Sequence, residues 1–495
     1  MIQNGNPSPH LLRELRFPAR YETLAKYLGD ELASVLVSPQ DRTRDLLEEA
    51  AQAILARGEG LFLPIHAPSG TGKTTLANNL NFFLPGIFTP TLSFLDDVTA
   101  QTLKAATTRY IRDFPINDEK IIPINIDQRE GDGPTGVELA AIKRFLRQQD
   151  AGYRALILWP DTSEALSTEM ADSYISIAGQ APIDLPLKIS GPPQETWIDI
   201  AKNTLRLANS LDSLEDLGVD PSTYDPAQSS SVGEYLRKIS DDFNKQTLKM
   251  IRATRIPLRL AIIFVSESSD AGVLTHLTSS NRFGLLDASA LLDASPKSEV
   301  GRWWRSRRGL LTTAIVRLDA RAFGLSPSAS ISVLRKFGSQ DLQASLREMK
   351  VKVVGDDRVS QNLERSDIGK YLLGKSKATF ETKGTPTTTS LAAFQLIAEL
   401  GFTTGKDKAL NKAMAQALRA FSAKKDLGFV AQSETPLDFI PIIPDNYLKY
   451  EREAICFEYT WRKGEFLVAK NRAGIAQYCL TKIRNYCREL GWIPD

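Results

Sequence analysis

The chain has 495 residues, 42% hydrophobic and 24% charged, a soluble globular composition long enough for two or three cores. It contains no run of about 18 apolar residues and opens without a basic-then-apolar leader, so neither a membrane span nor secretion is expected. Lys and Arg total 61 against 59 Asp and Glu, so any nucleic-acid contact must come from a local patch rather than overall charge.

Residues 1–40 read as an N-terminal extension punctuated by Pro7, Pro9, Pro18 and Pro39. Ser38-Pro39 opens a helix to about Arg57, with Leu46, Leu47, Ala50, Ile54 and Leu55 at helical spacing and Gly58 as its stop. Leu61–Ile65 is a short buried strand, followed by a small-residue loop and a helix that starts at Lys73. Asn81–Phe94 is apolar and broken by proline, and Asp96–Phe114 reads as a helix. Lys120–Asp127 is a second strand ending in a carboxylate. Thr135 and Glu138 form a capping box that starts a helix to about Gln149. Arg154–Asp161 is a third strand, again ending in an acid. Helices over Asn203–Leu217 and Val232–Thr254 flank a polar loop, and Leu258–Val265 is a fourth buried strand. This alternation predicts an α/β fold with a mostly parallel sheet covered on both faces.

Beyond Ser295 the pattern changes. Gly301–Arg308, GRWWRSRR, is basic and aromatic. Helices are expected over Leu310–Phe323, Pro327–Phe337 and Asp341–Met349, the last two readable as a helix-turn-helix with Val351–Val354 as a wing. Residues 376–390 are a Thr-rich linker candidate, and Leu391–Ala423 is helical. The end is α+β, with strands near Ile440–Pro444 and Ile455–Trp461 and a helix from Asn471 to Leu490. Cys456, Cys479 and Cys487 all lie there without C-x-x-C spacing, which fits a reducing cytoplasm and excludes a disulfide framework. The expected domains are the extension, a nucleotide-binding domain over 41–300, a helical lid-like or winged-helix-like domain over 301–375, and an α+β domain over 391–495.

The chemistry centres on Ala67-Pro68-Ser69-Gly70-Thr71-Gly72-Lys73-Thr74-Thr75. A strand, a glycine-bearing loop and a helix start make an anion site, in which inward N–H groups and the helix dipole favour phosphate. Lys73 suits the β- and γ-phosphates of ATP, and the Thr74 hydroxyl suits Mg²⁺. The one departure from G-x-x-x-x-G-K-[S/T] is Ala67 at the first glycine. A second metal-shell group is expected opposite the loop: Asp161 first, Asp127 second, with Glu164 as a base. Each Asp also has a purely structural reading as a helix cap.

On Ala67–Thr75, the strand ending at Asp161 and Leu260–Ser268 (LAIIFVSES), the chain resembles the AAA+ branch of P-loop ATPases. The resemblance implies a sensing role for Ser266 or Ser268, a trans-acting arginine finger at Arg282 and a second sensor at Arg302 or Arg305. It also implies a homo-oligomer with sites at subunit interfaces, in a bacterial antiviral defence or mobile-element setting. Two spacings, loop to second strand and Asp161 to Leu258, are long for that family's minimal core, so insertions or a signal-transducing NTPase branch are the alternatives. Arg302, Trp303, Trp304, Arg305, Arg307 and Arg308 read either as a surface that contacts phosphates and stacks bases or as a buried Trp pair with snorkelling arginines. Asp445 with Glu458 resembles the acid pair of restriction-type nucleases, but Thr460 stands where that family carries lysine, and only a migrated Lys470 replaces it. Nuclease activity is therefore not expected. The partner of hydrolysis is either nucleic acid or a protein effector.

Overall fold

The structure, a computed structural model, describes residues 10–28, 32, 36–114, 120–126, 129, 131–211, 214–253, 257–267, 272–348, 355–375, 378–380, 388–401, 407–437 and 440–493. Two compact units are present. One joins 17–208 with 220–242; the other joins 1–16, 209–219 and 243–495.

The first unit is built on five strands: β1 (Leu61–His66), β2 (Leu92–Phe94), β3 (Ile122–Ile126), β4 (Ala155–Asp161) and β5 (Leu187–Lys188), in the order β2-β3-β4-β1-β5. All neighbours pair in parallel. The alternation along β1 explains the two layers of helices. Leu61, Leu63 and Ile65 face a core shared with Leu47, Ala50 and Ile54, whereas Phe62 faces a core with Leu103, Ile142, Phe145 and Tyr174. The Asp41–Arg57 helix ends where Gly58 takes φ +61° and donates to the Ile54 carbonyl, the expected stop. The Thr135–Glu138 capping box forms as the spacing predicts.

The second unit holds β6 (Leu258–Val265), β7 (Arg321–Leu325), β8 (Val430–Ser433), β9 (Asn446–Lys449) and β10 (Ala454–Trp461), in the order β7-β6-β10-β9-β8. The three strands β7, β6 and β10 run parallel, and β9 and β8 complete a mixed sheet in antiparallel fashion. Two expectations are corrected here. The strand Leu258–Val265 does not extend the first sheet; it lies between β7 and β10 in the second. The helix expected over Leu310–Phe323 stops at Arg317, and Arg321–Leu325 is a fully buried strand. One sheet thus joins residues on both sides of the boundaries expected at 300 and 391.

The helix-turn-helix reading also meets a physical obstacle. Pro327–Phe337 is a core helix whose Ala329, Ile331, Val333 and Leu334 are buried among the helices Asp356–Arg365, Thr388–Gly401 and Asp407–Lys425. The wing candidate Val351–Val354 and most of the linker candidate lie outside the described residues. No described helix is long and apolar enough to cross a membrane.

Candidate functional site

The Ala67–Thr75 loop leaves the carboxyl end of β1, a strand flanked by β4 and β5, so it opens where the helices of both layers begin. Its start is tied down by the Ala67 N–H donating to the Asp161 carbonyl at 3.2 Å. The Thr71 hydroxyl donates to the Pro68 carbonyl at 2.7 Å, closing the turn. Gly70 and Gly72 take φ +79° and +96°, conformations that L side chains rarely adopt, and Gly72 caps the helix Lys73–Asn78. Lys73 is 7% exposed and its ammonium donates to the Ala67 carbonyl at 2.9 Å.

Two further glycines hem the loop. The Gly233 N–H donates to the Gly70 carbonyl at 2.8 Å, and a Cβ on Gly233 would stand 2.7 Å from the Gly70 Cα. Gly191, at φ +78°, would place a Cβ 2.8 Å from the Thr71 carbonyl oxygen. Neither glycine stands out in the sequence, because each is set by a neighbour distant in the chain.

A cavity of about 500 Å³ opens over the loop, lined by Ser69–Leu76 on one side and by Leu24, Leu36, Val37 and Pro39 on another. Arg20, Arg129 and Arg237 also reach it. Arg237 lies one helical turn beyond Gly233, and neither it nor Arg20 is ion-paired among the described residues. Arg129 is already engaged: its guanidinium lies over the Trp159 ring at 5.1 Å and pairs with Glu138 and Asp132, each at 3.0 Å. Burial works to raise the Glu138 carboxyl, but Arg129 and the Thr135 N–H outweigh it and hold it below the ordinary range.

The expected acids separate. Strand pairing sets Asp161 opposite His66 at the root of the loop, as the strand reading requires. Its carboxylate is fully buried, with one oxygen accepting the Gly131 N–H and the other the Ser163 N–H, both at 2.6 Å. Glu164 is exposed at the start of the next helix and paired with Lys188 at 2.6 Å. Asp127 lies outside the described residues. The Thr74 hydroxyl makes no hydrogen bond among the described residues and lines the cavity.

The remaining candidates belong to the other unit. Ser266 follows β6, fully buried with its hydroxyl unbonded among the described residues; Ser268 is not described. Arg282 is held at home: its guanidinium donates to Glu14 at 2.6 Å and to the Asn209 carbonyl at 2.7 Å. Trp304 is fully buried and donates to the Leu480 carbonyl at 3.0 Å, the structural reading of that residue, while Trp303 stays half-buried.

Across β9 and β10 the register sets Asp445 beside Glu458. The amine that reaches Glu458 comes from Lys482 on the Arg472–Glu489 helix, not from Lys470, and the Tyr486 hydroxyl donates to the other Glu458 oxygen at 2.6 Å. Burial, then the neighbouring Glu458 charge, pushes the Asp445 carboxyl up to about 7. Among the described residues no group of three or more His, Cys, Asp or Glu is arranged to hold a metal ion. The sequence signal for Lys482 was its helical spacing of four from Tyr478 and Tyr486, which puts all three on the face toward β10.

The fold and site define an α/β protein with a glycine-bearing loop at the carboxyl end of an interior strand of a parallel sheet. No protein-family model matches this chain, and no curated protein is significantly similar to it.

Proposed function

We propose that the unit formed by 17–208 and 220–242 binds a nucleoside triphosphate, ATP in the first instance, and hydrolyses it slowly with Mg²⁺. The observation that carries this reading is the buried Lys73 ammonium, which donates to the Ala67 carbonyl inside a glycine loop that opens on a cavity of ligand size. A phosphate there exchanges a carbonyl partner of Lys73 for a charged one, a stronger hydrogen bond. Arg20 and Arg237 add uncompensated positive charge at the same cavity, and the apolar Leu24, Leu36 and Val37 suit a base.

The residues present fit Mg²⁺, which needs only one or two protein oxygens when phosphates supply the rest. Thr74 is the residue that would hold it, and the ion would neutralise charge on the β- and γ-oxygens. Asp161 serves as a positioning residue, its carboxylate pinning the Gly131 and Ser163 backbones beside the loop. Slow turnover follows from that commitment and from the pairing of Glu164 with Lys188, which together leave no free carboxylate base among the residues expected to supply one and described here.

Phosphate release from Mg-ATP tests the proposal. Asp161→Asn is expected to lower turnover at least tenfold while leaving ATP affinity within about threefold. Release no faster from the native chain than from Lys73→Ala, with ATP still bound, would replace the enzyme by a nucleotide-gated scaffold.

A further inference from the structure

In the mixed-sheet unit, the Glu299–Arg305 helix, the Arg308–Arg317 helix and the Arg472–Glu489 helix pack together. Cations are concentrated around them. Arg302, Arg305, Arg307 and Arg488 are exposed and Arg484 half-buried, and none is ion-paired among the described residues. Their partners are neutral. Arg305 donates to the Leu292 carbonyl at 2.8 Å, Arg307 to the Ser306 hydroxyl at 2.8 Å, and Arg488 to the Asn485 side chain at 3.3 Å. Neutral acceptors fix a guanidinium in place without cancelling its charge.

Trp303 organises this surface. Arg307 lies over its ring at 4.5 Å and Arg484 at 5.9 Å, while Trp304 meets it edge-on with centroids 4.7 Å apart. Two arginines from separate helices are thereby presented side by side. The same packing removes the ring as a platform for stacking a base. The buried Trp304, anchored on Leu480, makes the arrangement part of the core.

We propose that this face binds the phosphate backbone of nucleic acid without reading its sequence. Arginine guanidinium forks suit phosphate oxygens, and five of them within three packed helices supply the charge that a chain of net +2 otherwise lacks. A membrane or a protein hot spot would call for an exposed apolar anchor. The large exposed hydrophobic side chains among the described residues, such as Leu95, Phe114 and Val137, all lie elsewhere in the chain.

Fluorescence anisotropy with a labelled mixed-sequence strand of about 20 nucleotides, single or as duplex, tests this across salt. Native protein should bind both forms, with a slope of log affinity on log salt of about −3.5 to −4.5, as roughly 0.7–0.9 for each of five phosphates neutralised requires. Arg307→Gln/Arg484→Gln/Arg488→Gln should weaken binding at least tenfold and remove about two units of slope. Lys104→Gln/Arg109→Gln/Arg112→Gln, on the basic face of the Ala100–Asp113 helix, should leave both unchanged, and so should Lys73→Ala. If the first triple variant loses its melting transition, Arg302→Gln/Arg488→Gln should still weaken binding and remove about 1.5 units of slope, because neither arginine donates to a backbone carbonyl among the described residues. No binding at about 50 mM salt, an equal loss in the control triple, or binding to phosphatidylserine vesicles in place of nucleic acid would overturn the proposal.

Discussion

In the all-parallel unit a buried lysine sits where a strand ends and a cavity opens; in the mixed-sheet unit a cluster of buried opposite charges packs against itself. Lys73 is buried but faces a loop with room for a ligand. Arg259 and Asp319, buried to 1% and 0% of side-chain exposure, face each other at 3.6 Å, with Arg321 at 2.8 Å from Asp319 and Glu453 at 3.1 Å from Arg259. Burial tends to raise the Asp319 carboxyl, but Arg321, Arg259 and His10 outweigh it and hold it low. A buried charge beside an open cavity is a candidate site; buried opposite charges packed against one another mark architecture instead.

The largest effect should come from breaking the sealed network. Asp319→Ala leaves two buried guanidinium groups without their shared acid and is expected to cost about 3–5 kcal/mol. Urea unfolding measures it, and a loss below about 1 kcal/mol would mean that Arg259 is compensated elsewhere. Because the folded carboxyl is held low, its stabilisation is present above the ordinary carboxylate range and is lost as pH falls toward the acid side.

Next in size is Gly233→Ala. The added Cβ must displace the Gly70 backbone from 2.7 Å, so about 1–3 kcal/mol of stability and a weaker ATP affinity are expected together. A stability loss with unchanged ATP affinity would separate the start of the Val232–Ala253 helix from the phosphate loop.

Asp445 gives a smaller effect of opposite sign to Asp319. Its folded carboxyl sits at about 7, above its unfolded value, so its contribution is fully present at low pH and lost as pH rises from about 4 through 7. Asp445→Asn should flatten that part of the stability profile and raise the melting temperature at pH 8 relative to the native chain. An unaltered profile would show that Lys482 and Tyr486 already neutralise the pair. Smallest of all, Glu164→Gln breaks an exposed ion pair and should change stability by less than about 0.5 kcal/mol, with turnover unchanged. A hundredfold drop in turnover would instead restore Glu164 as the base.

Much of the first sheet was legible because its central strands are continuous apolar runs ending in small or acidic residues. Strands β1, β3 and β4, the Thr135 capping box and the Gly58 stop all follow from local pattern. Strands β2 and β5, of three and two residues, carry no period to read. In the second sheet the run Leu258–Val265 was legible as a strand but not its partner, since a buried apolar strand fits any parallel neighbour and β10 lies far along the chain. Arg321–Leu325 was hidden because five buried residues after a helix continue its apolar pattern. At the site, the loop was fully legible from residue types. Asp161's position was legible as well, but not the two backbone N–H groups that occupy its carboxylate, and Gly191, Gly233 and Arg237 are brought to the loop only by folding.

The central claim, that the Lys73 loop receives a triphosphate, is tested most directly by titrating Mg-ATP into native protein and into Lys73→Ala, following heat or a fluorescent analogue. Saturable one-site binding to the native chain, weakened at least tenfold (about 1.4 kcal/mol) in Lys73→Ala with the melting curve of the ligand-free protein preserved, is the predicted result. Equal affinity in the two proteins, or no binding to either, would contradict the account.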